Sequence, residues 1–209
     1  MTVAIDLSSS FGQIRDQGLR PTCLAFAASS VHELARGRTR SLSVEALFSQ
    51  CKRRDGLAAT DGTTVTAAVA ALASSGQCED ALWPYGASEP ALFPGDYYRA
   101  RTEERATVGL LDLIKLALRS GRAAVLVVHL TEPWFSVESD GLIQPPDSAD
   151  QLEGAHAVAA VGYDDAKTTL LIRNSWGTDW AAGGYAQLPY RHVEWYGIEM
   201  FTLVALSTP

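Results

Sequence analysis

The chain has 209 residues, 47% of them hydrophobic and 20% charged, with a formal net charge of −7. That is enough apolar material for a real core, in one large domain or two small ones sharing a cleft, and the ordinary Gly and Pro content excludes a disordered or fibrous chain. The acidic balance argues against a nucleic-acid surface, which needs clustered Lys and Arg. The longest apolar run, residues 123–128, is far too short to cross a bilayer, so no membrane partner is expected. Met1–Asp6 has no basic patch followed by an apolar run, and three cysteines do not make a disulfide framework; both features point to a reducing, cytoplasmic setting.

In chain order, Leu24, Ala27, Ala28, Val31, Leu34 and Ala35 recur at helical spacing and Gly37 follows as a stop, so a first helix is expected there, with Phe26 adding apolar surface off the stripe. Ser43 is the expected N-cap of a second helix carrying Val44, Leu47, Phe48 and Cys51 on one face. A third helix runs from about Thr64 to Gly76 and a fourth over Leu110–Leu118, ending at Gly121. The second half reads as strands: Ala124–Leu130, Ala155–Tyr163, Thr169–Arg173 after the turn at residues 164–167, Tyr185–Leu188 after Gly183-Gly184, and Ile198–Leu206. Helices first and strands second predict an α+β fold. The change from one half to the other is expected between Pro94 and Val108.

Cys23 opens the first helix, where the positive end of the macrodipole favours thiolate, the reactive form. A lone cysteine is more often a buried structural thiol, so a base is needed to argue for a nucleophile. His156 stands at the mouth of the strand Ala155–Tyr163. If Tyr163 and Thr168 close the hairpin, His156 lies roughly opposite Ser175 and beside Asn174, within the reach of cross-strand neighbours. Asn174 can then hold the imidazole in one tautomer, completing a Cys-His-Asn set. His32, on the polar side of the first helix, His129, at a strand end, and His192, in a loop-like stretch, read as surface or structural residues. Lys52-Arg53-Arg54 reads as a short solvated run.

Three blocks now resemble those of papain-like cysteine peptidases: Gln17-Gly18-Leu19-Arg20-Pro21-Thr22-Cys23-Leu24-Ala25-Phe26, Gly154 to Tyr163, and Arg173-Asn174-Ser175-Trp176-Gly177-Thr178-Asp179-Trp180, followed by Gly183-Gly184-Tyr185. His156 and Asn174 follow Cys23 by 133 and 151 residues, close to that family's separations. The resemblance implies a two-lobe fold, a helical lobe over residues 11–105 and a β-barrel-like lobe from residues 1–10 and 106–209, with the active site in the cleft between them, and a cysteine endopeptidase acting on peptides or proteins without a metal or cofactor. It implies Cys23 as nucleophile, His156 as base, Asn174 as its orienting residue, and Gln17 with the Cys23 N–H as oxyanion hole. It also implies that Trp176 covers the His–Asn bond, that the Gly62 backbone pairs with substrate, and that Val127 and Ala155 line the pocket for the side chain two positions before the cut. Both are apolar and no carboxylate is evident between them, so an apolar or aromatic residue is expected there rather than Arg. Trp180 reads as core.

The departures matter as much. Arg20 stands where the family has a cysteine and Thr60-Asp61-Gly62-Thr63 replaces a G-C-N-G-G stretch, so the family's disulfide there cannot form; Cys51 and Cys78 either pair with each other or, as a reducing compartment favours, stay free thiols. Leu24 replaces a Trp. Trp83-Pro84-Tyr85 resembles a segment of compact bacterial members. With no prosegment expected before Gln17, restraint is expected from narrow specificity, a regulatory partner or a neighbouring domain, ahead of reversible oxidation of Cys23. An acyltransferase or transglutaminase-like enzyme, and a catalytically silent binding module on the same fold, are the alternatives; the presence of Gln17, Cys23, His156 and Asn174 together disfavours the second.

Overall fold

The computed structural model describes residues 4–37, 40–58, 60–91 and 95–207; Pro94, where the sequence placed the start of the change from helices to strands, lies outside them. Three helices come first: α1 (Cys23–Ala35), α2 (Val44–Asp55) and α3 (Val65–Ser74). Ser43 and Thr64 accept the N–H groups of Ala46 and Ala67, and so cap α2 and α3 as N-cap side chains do. α4 (Leu110–Arg119) and α5 (Tyr190–Tyr196) follow later, among the strands β1 (Ala4–Asp6), β2 (Ala100–Ala106), β3 (Ala124–Leu130), β4 (Gly154–Asp164), β5 (Thr169–Arg173), β6 (Tyr185–Pro189) and β7 (Gly197–Ala205).

The strands form one antiparallel sheet in the order β2-β7-β3-β4-β5-β6, with β1 paired to the far end of β4. Alternation along a strand sends successive side chains to opposite faces, and β4 uses both. Ala157, Ala159 and Val161 join Phe26, Ala27, Leu47 and Leu72 in a core shared with α1–α3, while Val158 and Ala160 join Ile114, Leu118 and Val193 in a second core under α4 and α5. Two lobes result, one helical and one built on the sheet, with α1 lying against β4 between them. Gly162 marks where β1 crosses: a Cβ there would stand 2.5 Å from the Ile5 carbonyl oxygen.

Three features differ from the sequence reading. Residues 100–105 belong to the sheet, as β2 paired to β7, not to the helical half. Their charged side chains, typical of an edge strand guarded against further pairing, read in sequence as a polar linker. His192 lies in a helix, α5, which at seven residues is too short to show a period, and it is fully buried. His32, expected on a polar face, is fully buried too, with Nδ1 2.9 Å from Gln77 Oε1. Cys51 and Cys78 are unbonded thiols.

Candidate active site

One cleft of about 480 Å³ brings the sequence-predicted residues together: Gln17, Cys23, Gly62, Val127, Ala155, His156 and Trp176 all line it, with Leu24 and Val65 beside them. Asn174 is buried directly behind His156. Cys23 is the first residue of α1, and the Thr22 side chain makes no cap hydrogen bond. The first N–H groups of the helix are therefore left for other partners. Burial of the Cys23 thiol pushes its pKa up, against backbone N–H donors of Ala157, Leu24 and Cys23 that pull it down. Burial thus works against the thiolate that the helix terminus and these donors favour.

His156 stands opposite Val128 on β3. The β4–β5 register differs from the inferred one: Tyr163 faces Leu170, and a bulge between Ala160 and Gly162 shifts it before Ala159 meets Arg173. One further step would set Asn174 opposite Val158, with His156 two residues along on the same face, a diagonal neighbour. The His156 Nε2–Asn174 Oδ1 distance is 2.7 Å. The same Oδ1 accepts the Ser175 N–H at 2.8 Å, which fixes the amide's orientation. Since Oδ1 only accepts, Nε2 carries the proton and Nδ1 is left as the basic nitrogen of the neutral ring. Burial lowers the His156 pKa to about 4, with the Asn174 bond pulling it up. Either charge alone is thus disfavoured in the cleft. Proton transfer from Cys23 to His156 makes a pair in which each charge compensates the other.

The Asn174 backbone is held by its own N–H bond to the Gly184 carbonyl, 3.0 Å long. Gly184 has φ +87, and a Cβ there would stand 2.6 Å from Ile14 Cγ2, which explains the second glycine before Tyr185. Across the cleft, Gln17 is tied to the same loop: its N–H donates to the Ser175 carbonyl at 2.8 Å and its Oε1 accepts from Ser175 Oγ at 2.7 Å. Gln17 Nε2 donates one hydrogen to the Arg20 carbonyl at 2.8 Å, leaving the other for the cleft.

Trp176 covers the base, its ring centroid 4.7 Å from that of His156. Trp180 packs edge-on against Trp176 and stacks on Trp134, whose carbonyl accepts its indole N–H. Trp134, 6.2 Å from the His156 ring, and Phe135, stacked on Trp176 at 5.7 Å, belong to this aromatic shell. Sequence reasoning missed both, because residues 131–153 carry no periodic pattern. It also missed Glu199. This carboxylate lines the cleft opposite Val127 on β7 and pairs with Arg105, which also donates to Thr66 Oγ1 at 3.0 Å. No carboxylate was expected beside Val127 and Ala155; the sheet register supplies one, already neutralised. Among the described residues there is no cluster of three or more His, Cys, Asp or Glu placed to hold a metal ion, and no helix long and apolar enough to cross a membrane.

Fold and site together define a papain-like architecture, and the family model for papain family cysteine proteases matches residues 4–206. The chain belongs to that family. Xylellain, a cysteine protease from Xylella fastidiosa, superposes with a TM-score of 0.81 at 25% identity, over 98% of this chain and 86% of that one. A cysteine protease of Carica candamarcensis solved with E-64 shares the fold, with a TM-score of 0.70 at 23% identity over the full length of both chains. Among curated relatives, an uncharacterized peptidase C1-like protein of Acanthamoeba polyphaga mimivirus is 26% identical over 200 residues, covering 85% of this chain and 64% of its own. Chymopapain of Carica papaya is 26% identical over 185 residues, covering 84% and 51%. The chain thus spans about half to two thirds of these curated relatives' lengths.

Proposed function

We propose that this chain is a cysteine endopeptidase acting on peptides or proteins. The observation that carries the reading is the 2.7 Å His156–Asn174 bond, made by Nε2 so that Nδ1 is the basic nitrogen, in the same cleft as Cys23 and Gln17. Cys23 Sγ loses its proton to His156 Nδ1 and bonds to the substrate carbonyl carbon, whose oxygen takes the negative charge. The Cys23 N–H and the second Gln17 Nε2 hydrogen stabilise that oxyanion. Collapse breaks the C–N bond as His156 returns the proton to the departing amine. Water, deprotonated by His156, then attacks the thioester and regenerates the thiol. The residue two positions before the cut meets Val127 and Ala155, which supports an apolar or aromatic preference; the pairing of Glu199 with Arg105 removes the free negative charge that would attract Arg.

A peptide library digested with and without added amine, beside Cys23→Ala, tests this: hydrolysis lost in the variant is expected, with Arg not preferred at that position. Amide products in place of acids would make the enzyme an acyltransferase. Mapping after brief iodoacetamide treatment should show Cys23 labelled ahead of Cys51, whose thiol burial pushes up to about 12, and ahead of buried Cys78.

A further inference from the structure

Arg20 stands where the family has a cysteine, and α2 meets the cleft segments at both its ends. At the first turn of α2, Glu45 takes both ends of the Arg20 guanidinium, at 2.6 and 2.8 Å, and the Gly86 N–H at 2.8 Å. The guanidinium also lies over the Tyr85 ring, 4.7 Å from its centroid. Tyr85 Oη donates to the Gln17 carbonyl at 2.9 Å and stands 2.8 Å from Thr22 Oγ1. The segment from Gln17 to Cys23 is therefore held at its start, middle and end. The Arg20 carbonyl that receives Gln17 Nε2 is part of it.

At the last turn, Lys52 Nζ donates to the Gly62 carbonyl at 2.8 Å and pairs with Asp55 at 3.3 Å. Asp55 Oδ2 accepts Thr63 Oγ1 at 2.5 Å. Lys52 is thus not the solvated residue of the sequence reading; its side chain is 14% exposed and that of Asp55 4%. Lys52 fills one lone pair of the Gly62 carbonyl and leaves the other. A bidentate Arg–carboxylate pair fixes geometry as well as adding attraction. The two links occupy the two stretches where the family's disulfide is ruled out in this chain.

We propose that α2 is the positioning element of the cleft: through Glu45 and Arg20 it sets the oxyanion-hole segment, and through Lys52 and Asp55 it sets the Gly62 edge that binds substrate backbone. Arg20, Glu45, Lys52 and Asp55 touch no reacting atom in this scheme and act through Gln17, Cys23 and Gly62. The kinetic part rests on the peptidase reading.

The two ends predict different signatures. Arg20→Gln misplaces an oxyanion donor and should lower kcat roughly 10- to 100-fold, with KM within about twofold because ground-state contacts are untouched. Alkylation of Cys23 by iodoacetamide, which forms no oxyanion, should keep its rate. Asp55→Asn should raise KM with kcat nearly unchanged. The double variant Arg20→Gln/Glu45→Gln, which leaves no unpaired carboxylate at this half-buried site, should lose as much kcat as Arg20→Gln alone. Amide exchange, which needs no substrate, should quicken over residues 17–23 in Arg20→Gln and over residues 60–63 in Asp55→Asn, each without the other. Wild-type kcat in Arg20→Gln, its recovery in the double variant, or kcat and KM moving together in both single variants would overturn the proposal. If the wild-type chain hydrolyses no peptide, the peptidase reading fails, and exchange alone decides the positioning role: unchanged exchange in both variants overturns it.

Discussion

In the proposed mechanism four side chains supply the chemistry, and their substitutions should grade by role. Cys23→Ala and His156→Ala remove bond-making groups and should abolish turnover with the fold intact, as circular dichroism would show. Asn174→Ala removes only orientation and should slow turnover less. Gln17→Ala should cost about 10² to 10³ in kcat, the usual toll of one oxyanion donor; near-normal kcat would remove Gln17 from the site. Gly62 separates a packing need from a binding need. Its Cβ position has only the Pro21 carbonyl oxygen, at 3.7 Å, within contact, and its φ is not in the left-handed region. Gly62→Ala should therefore shift stability by less than about 0.5 kcal/mol. Any rise in KM for peptides would then report the close approach of substrate backbone, and an unchanged KM would show that substrate does not pass there.

At the level of elements, β4 does most of the joining. It carries His156, contributes to both cores and receives β1 at its far end. Gly162 permits that last contact, since any Cβ would press on the Ile5 carbonyl. Gly162→Ala should destabilise the protein by about 1–3 kcal/mol, the usual range for overpacking, and should release residues 4–7 to faster amide exchange. Exchange there unchanged from wild type would mean β1 adjusts without detaching. Gly184→Ala should be felt at the site itself, because the carbonyl of Gly184 holds the Asn174 N–H. It should lower kcat as well as the melting temperature, whereas Gly162→Ala, remote from the cleft, should lower only the latter.

The molecule as a whole should be acid-sensitive. Burial lowers both His156 and His32 to about 4 from the ordinary 6.5, and it lowers His192 as well. Between pH 6.5 and about 4 the unfolded chain binds protons that the folded chain does not, so stability falls as pH drops through that window and levels off below it. Glu45 adds to the loss at lower pH: burial pushes its carboxyl up, but its bonds to Arg20 and Gly86 hold it below the usual range, and that stability goes as it protonates. Glu33, which burial raises in spite of Arg15, offsets part of this. Urea midpoints measured across the window should fall with a slope of about two protons, and His32→Gln should remove about one of them. A midpoint independent of pH there would show that these histidines are charged in the folded chain.

The order of helices and strands, the cap at Ser43, and the residues that meet in the cleft, Cys23, His156 and Gln17 with Asn174 behind, were legible in the linear chain, because each rests on near neighbours or on blocks of fixed local wording. The fold class followed from the period changing from 3.6 to 2 along the chain. What the sequence could not determine depends on which distant surfaces meet. The charged edge strand β2 looks like a linker until β7 pairs with it. The bulge in β4 moves the register by a step that no periodicity shows. Trp134 and Phe135 join the shell around His156 only when the 131–153 segment packs there. Glu199 enters the cleft through its place opposite Val127, and Arg20 finds Glu45 twenty-five residues on. Side-chain pairing at such separations is decided by packing, which sums many weak contacts over the whole chain, and only the tertiary structure carries that sum.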